Sequence, residues 1–180
     1  MLEEKILKMN PLGNIPVYQE GDFILSDSSA ICAYIDKLHL NNSLYPSDPK
    51  SYAKCLWYEE YADTNLMPAI LSVFFNVCLA SRFGKEVNYD AVESALEIKI
   101  PAIFSYLNSE IGDKKYFSGN QLSLADISIN APFLNFEFAK HTVDSKRYGN
   151  LSRYLKNISE EESIKQAIMI TRERFYSQNK

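Results

Sequence analysis

The sequence predicts a mainly α protein, α+β overall, in which a small β-containing N-terminal part is followed by an all-helical domain. Three observations carry this. Short β-favouring runs occur only between Pro16 and Leu25. Beyond residue 49 the apolar residues recur at steps of three and four. Between the two regions lies a stretch dense in turn formers, "HLNNSLYPSDPK". The expected division is residues 1–40, a linker over 41–48, and a helical domain over 49–180.

In "PVYQEGDFIL" two β-favouring runs flank Glu20-Gly21-Asp22, the signature of a hairpin. Ser26 to Ser29 then offer several N-cap residues ahead of Ala30, Ile31, Tyr34, Ile35 and Leu38, which predicts a helix of about three turns. After the linker a long helical stretch runs from Pro49 to Ala80. Pro68 lies inside it, so a kink or break is expected there.

Val92, Leu96, Ile100, Ile103, Leu107 and Ile111 mark another amphipathic helix, with Pro101 as a second bend. In "GNQLSLADISINAPFL", Ser123 and Asp126 fit a capping box, a structural helix start that needs no function. Two further helices are expected, around Leu151 to Asn157 and from Glu160 to Ser177. The whole reads as a hairpin and helix, a linker, and a bundle of five or six helices.

Composition narrows the function. With 46% apolar and 23% charged residues the chain is an ordinary globular protein. A net charge of −4 argues against a nucleic-acid binder, which needs a basic face. Cys32, Cys55 and Cys78 lie in apolar, helix-like contexts and read as free thiols of a reducing compartment, with no disulfide framework. The N-terminus lacks the pattern of a secretory signal, and no unbroken run of about 18 apolar residues occurs, so no membrane association and a cytoplasmic location are expected. Neither His39 nor His141 has a partner at metal-ligand spacing, and no metal is expected.

Local physics places a ligand at one point. A helix beginning at Ser26-Asp27-Ser28-Ser29 presents unpaired N–H groups that suit a carboxylate, while the Asp27 side chain suits an ammonium. A zwitterionic amino-acid end would satisfy both, and a plain N-cap would equally explain the residues.

The stretch "NPLGNIPVYQEGDFILSDSSAICAYI" resembles the second half of the thioredoxin-like domain of cytosolic glutathione S-transferases. The resemblance continues through "LYPSDP", "LWYEEYAD" and "LSLADISI", and so covers essentially the whole chain. It implies a glutathione S-transferase-like fold, with a partial thioredoxin-like part ahead of the helical domain.

For function, the resemblance implies conjugation of glutathione, as co-substrate, to an apolar electrophile. Ile15 would precede a cis Pro16 and offer its backbone N–H and C=O to the cysteinyl part of glutathione. Asp27 and Ser28 would hold the ammonium and carboxylate of the γ-glutamyl end. Tyr58, Tyr61, Phe74 and Phe75 would line the co-substrate pocket. A homodimer is implied too, the family's third helix of one subunit packing near the long helix after the linker of the other.

Two departures stand out. Asp27 occupies a position where Glu or Gln is usual. The family also places a strand, a helix and a second strand ahead of the Asn-Pro, carrying the Ser, Tyr or Cys that activates the glutathione thiol. The chain as written has no counterpart, so no catalytic residue is identified and weak or absent turnover by this chain alone is expected. A thiol near its ordinary pKa of about 8.5 is only slightly ionised at pH 7. The alternative is a non-enzymatic binding or regulatory module on the same fold. The sequence leaves the electrophile and the subclass open.

Overall fold

The computed structural model describes the backbone of residues 2–177 and the side chains of residues 4–177. By its internal contacts the chain divides into Met1–Tyr45 and Pro46–Lys180.

In the N-terminal unit, α1 (Leu2–Met9) is followed by the hairpin β1 (Val17–Glu20) and β2 (Phe23–Ser26), then α2 (Ser28–Leu38). The strands pair antiparallel, with Val17 opposite Ser26 and Glu20 opposite Phe23. Gly21, at φ 57°, takes the left-handed conformation at the tip that other residues adopt at a cost. Tyr34 of α2 packs against the hairpin, its ring 4.9 Å from Phe23 and 5.6 Å from Tyr18. Its hydroxyl donates to Glu20 Oε2 at 2.8 Å. The stretch after α2 is a stitched turn: buried Asp36 accepts from the Ser43 hydroxyl at 2.8 Å and the Leu44 N–H at 2.6 Å.

The helical unit opens with one continuous helix, Pro49–Phe83. It consists of α3 (Pro49–Tyr61), a π turn over Ala62–Leu66, α4 (Met67–Phe74), a second π turn over Phe75–Leu79 and a 3₁₀ turn to Phe83. Asp48 caps its start, accepting from the Ser51 N–H at 2.9 Å. By length and mean hydropathy this helix is apolar enough to cross a membrane, although it contains no unbroken run of about 18 apolar residues. Its buried residues, among them Cys55, Tyr58, Leu66, Ile70 and Val73, pack it as a core helix of the unit.

The bend expected at Pro68 takes the form of the π turn just ahead of it. Proline lacks an N–H and clashes with the carbonyl four residues back, and a widened turn accommodates both defects. The same device recurs at Pro101. There α5 (Tyr89–Ser94) passes through a π turn, Ala95–Lys99, into α6 (Ile100–Ile111).

α7 (Leu124–Phe138) runs through the core against α3 and α4, followed by α8 (Gly149–Ile158) and α9 (Glu162–Ser177). The expected capping box is present: the Asp126 carboxylate accepts from the Ser123 N–H at 3.0 Å and from the Ser123 hydroxyl at 2.8 Å. It also accepts from the Phe117 N–H at 2.9 Å and the Tyr154 hydroxyl at 3.0 Å. Burial pushes the Asp126 carboxyl up from its ordinary pKa, and these donors oppose the shift.

Candidate functional site

In the N-terminal unit Ile15, Pro16, Asp27 and Ser28 flank the two outer ends of the hairpin. The Ile15–Pro16 peptide is cis. Ile15 is 73% exposed, and among the described residues its N–H and C=O have no hydrogen-bond partner. That leaves a backbone donor and acceptor open just before β1, the arrangement an extended peptide pairs with by strand addition.

At the same open end of the hairpin, where Val17 lies opposite Ser26, β2 delivers the chain into α2 through Asp27, whose φ of 82° is unusual for a residue with a side chain. The Asp27 Oδ1 accepts from the Ala30 N–H at 3.0 Å. The Ile31 N–H donates to the Asp27 carbonyl at 3.0 Å. The helix's first donors are therefore divided. Those of Ala30 and Ile31 are satisfied locally, while those of Ser28 and Ser29 have no partner among the described residues.

Asp27 Oδ2 and the Ser28 hydroxyl are likewise without a partner and face solvent. One carboxylate oxygen thus holds the helix end while the other remains open. The N-cap reading and the ligand reading of Asp27 coexist in one side chain.

Nearby charge is modest. Burial and then Glu20 raise the Tyr18 hydroxyl above its ordinary pKa. For Tyr34 the Glu20 hydrogen bond is the first cause. Both phenols stay protonated as donors to Glu20.

In the helical unit the four aromatic residues assigned to a co-substrate pocket lie in four separate settings. Tyr58 is buried, its ring against Phe117 and its hydroxyl donating to Glu110 at 2.5 Å. Tyr61 is half-buried beside Trp57 and Tyr106, ring centroids 6.2 and 4.8 Å away. Phe75 stacks on Phe83 with the Lys85 ammonium over its ring at 5.3 Å.

Phe74 belongs to a larger aromatic group that the sequence reading missed. It lies 6.3 Å from Phe138 and 6.0 Å from Phe175, and those two rings stack at 3.9 Å and 5°. Tyr176 meets Phe138 edge-on. The signal was available in the apolar spacing of "FEF" and "RFY", but only the fold brings the ends of α7 and α9 together.

Cys78 donates its thiol to the Phe138 carbonyl at 3.5 Å, and burial pushes it up from its ordinary pKa despite Lys140. Cys55 is fully buried and pushed up in the same way. Neither is a thiolate at neutral pH. None of the three cysteines is in a disulfide, and no group of three metal-ligating side chains occurs among the described residues.

A hairpin and capped helix with an open peptide-pairing point, ahead of a helical unit with a buried capping box, define the glutathione-transferase fold class. Known proteins agree. Residues 2–43 match the glutathione S-transferase N-terminal domain, and residues 74–168 match the glutathione S-transferase C-terminal domain.

Over 87% of its length the chain is 30% identical to glutathione S-transferase D6 of Drosophila melanogaster, covering 68% of that protein. Over 91% of its length it is 28% identical to glutathione S-transferase U4 of Arabidopsis thaliana, covering 70% of it. In five of the curated relatives it matches, the chain spans from 53% to 70% of their length.

A glutathione S-transferase from Rhodospirillum rubrum F11 superposes with a TM-score of 0.79 at 20% identity, over 89% of this chain and 73% of that one. Glutathione S-transferase-I, solved bound with lactoylglutathione, gives 0.78 at 23%, over 91% and 78%. These structures establish the fold. The chain belongs to the glutathione S-transferase family.

Proposed function

We propose that the N-terminal unit grips glutathione, and that the protein is a glutathione transferase acting on apolar electrophiles. The observation that carries this is the divided helix start: Asp27 caps α2 with one carboxylate oxygen and leaves the other, with the Ser28 and Ser29 N–H groups, open at one point. An ammonium and a carboxylate borne on one carbon fit that pair of opposite charges, the helix N-terminus adding its partial positive charge. In this reading the open Ile15 N–H and C=O pair with the cysteinyl backbone. A family neighbour solved with lactoylglutathione bound supports the same ligand class.

The co-substrate pocket draws on Tyr58, Tyr61, Phe74 and Phe75 as the resemblance implies, with Phe74 the member already set in an aromatic group. Sulfur activation is not assigned to Cys55 or Cys78, because burial holds both protonated. A homodimer in the cytoplasm completes the reading. Trp57, 52% exposed and donating to the Tyr106 hydroxyl at 3.0 Å, supplies an aromatic face on α3 and α6 suited to a second copy.

The test is retention of the chain on immobilised glutathione, alongside conjugation of glutathione to an aryl halide. Retention that free glutathione reverses is expected. Failure to bind the resin, or binding that Asp27→Asn leaves intact, would overturn the assignment. Retention without measurable turnover would separate the grip from the chemistry and remove the transferase half of the proposal.

A further inference from the structure

Apart from the glutathione region, the helical unit holds a cavity of about 250 Å³ among α7, α8 and α9, beside the C-terminal end of α7. Its walls are apolar over Phe133, Leu155 and Ile168, and His141 stacks on Phe136 nearly parallel, centroids 5.1 Å apart at 20°, as a flat side. Its polar lining includes the Asn130 amide, the His141 imidazole and the Ser152 hydroxyl. All are half-buried, and none has a hydrogen-bond partner among the described residues.

Each of the three reaches solvent, so none needs a partner within the fold, and their donors and acceptors stay available to a guest held against the apolar wall. The charges at its edge cancel. Arg172 holds Glu137 bidentately, with Nε to Oε1 at 3.0 Å and an Nη to Oε2 at 2.7 Å.

We infer that this cavity is a second small-molecule site, taking an uncharged, single-ring aromatic molecule whose polar group both donates and accepts hydrogen bonds. Size sets the ring count. A dry cavity of about 150 Å³ holds benzene, so this one holds a ring with a substituent. The flat His141–Phe136 side selects a planar guest.

The polar group follows from the amide of Asn130, which offers donors and an acceptor, and from the imidazole and hydroxyl, which each do either. Arg172 and Glu137 already satisfy each other, so neither offers an unpaired charge to an ionic guest. The site stands whether or not the chain conjugates glutathione, because it uses no residue of the N-terminal unit.

The probe is benzamide, titrated into the isotope-labelled full chain while backbone amide resonances are followed by NMR. Toluene serves as the apolar control and benzoate as the charged one. Saturable shifts are expected at residues 130–143, 152–159 and 168–172, with affinity in the millimolar range or tighter and at least about tenfold weaker for both controls.

Asn130→Leu and, independently, Ser152→Val are each expected to weaken benzamide about tenfold while leaving the helical circular dichroism unchanged. If one variant misfolds, the other carries the comparison. Absence of saturable shifts at those residues, equal binding of toluene, or benzamide binding that survives a folded variant at full strength would overturn the inference.

Discussion

The Asp27 carboxylate accepts from the Ala30 N–H at 3.0 Å while the Asp27 backbone stands at φ 82°. Two demands meet in that residue. The cap needs an acceptor on a short side chain, and the chain path from β2 into α2 needs a positive φ. Asp and Asn tolerate that region better than longer residues do. Where relatives of this fold usually have Glu or Gln, the shorter side chain here closes the cap on its own helix.

That geometry separates structure from ligand binding. Asn caps as well as Asp and tolerates the same φ, but carries no charge for an ammonium. Asp27→Asn is therefore expected to keep the far-UV circular dichroism and thermal midpoint of the parent and lose retention on immobilised glutathione. Asp27→Ala is expected to lose retention and about 1 kcal/mol of stability as well. Equal retention by all three proteins would show that the open Asp27 oxygen meets no ligand.

Ser28 contributes differently. Its backbone N–H stays in any variant but proline, so Ser28→Ala removes only the hydroxyl from the proposed carboxylate site. A hydrogen bond to a charged group is worth about 1.5–3 kcal/mol. The concentration of free glutathione needed to elute the chain should fall by a factor of ten or more, with no change in stability. An unchanged elution profile would mean that the backbone alone holds the carboxylate.

These features differ in how far the sequence disclosed them. The hairpin, the capped helix at Ser28 and the Ser123–Asp126 box were legible because each is a local pattern whose partners lie close in sequence, Val17 and Ser26 being the most distant pair. The two π turns at Pro68 and Pro101 were legible only as bends, since proline signals a defect without saying how the helix absorbs it. α1 was missed although Leu2, Ile6 and Met9 keep helical spacing, because the helix is only eight residues long and carries no N-cap signal.

The aromatic group around Phe74 depends on α9 returning to α4, a contact between residues about a hundred positions apart in sequence. Periodicity cannot encode such a pairing. The cavity at His141 was invisible for the same reason, since Asn130, His141 and Ser152 share no spacing.

At the start of α3 the Ser51 N–H, the largest cause, holds the Asp48 carboxyl below its ordinary pKa. The native state therefore binds this proton less readily than the unfolded chain does. The stabilisation is fully present above the unfolded pKa and disappears as pH falls through the lower native value. The thermal midpoint should accordingly decline below about pH 4, and Asp48→Asn, which keeps a capping acceptor, should decline less steeply over that interval. Parallel pH profiles for the two proteins would remove Asp48 as a contributor.

Asp126 is the most heavily committed side chain of the helical unit: fully buried, with four donors converging from Ser123, Phe117 and Tyr154. Removing it strands those donors in the interior, and each buried unsatisfied group costs about 1–3 kcal/mol. Asp126→Ala should therefore lose about 3 kcal/mol or more, a fall in thermal midpoint of roughly 6–12 °C for a chain of this size.

Tyr154→Phe is the informative companion. It removes one donor and leaves the carboxylate three, so the loss should be about 1 kcal/mol. If the two variants were equally destabilised, the Tyr154 hydroxyl would be the donor on which the network depends, and the other three would be secondary. If Asp126→Ala alone collapsed the helical signal, the start of α7 would be the element on which the folding of the helical unit depends.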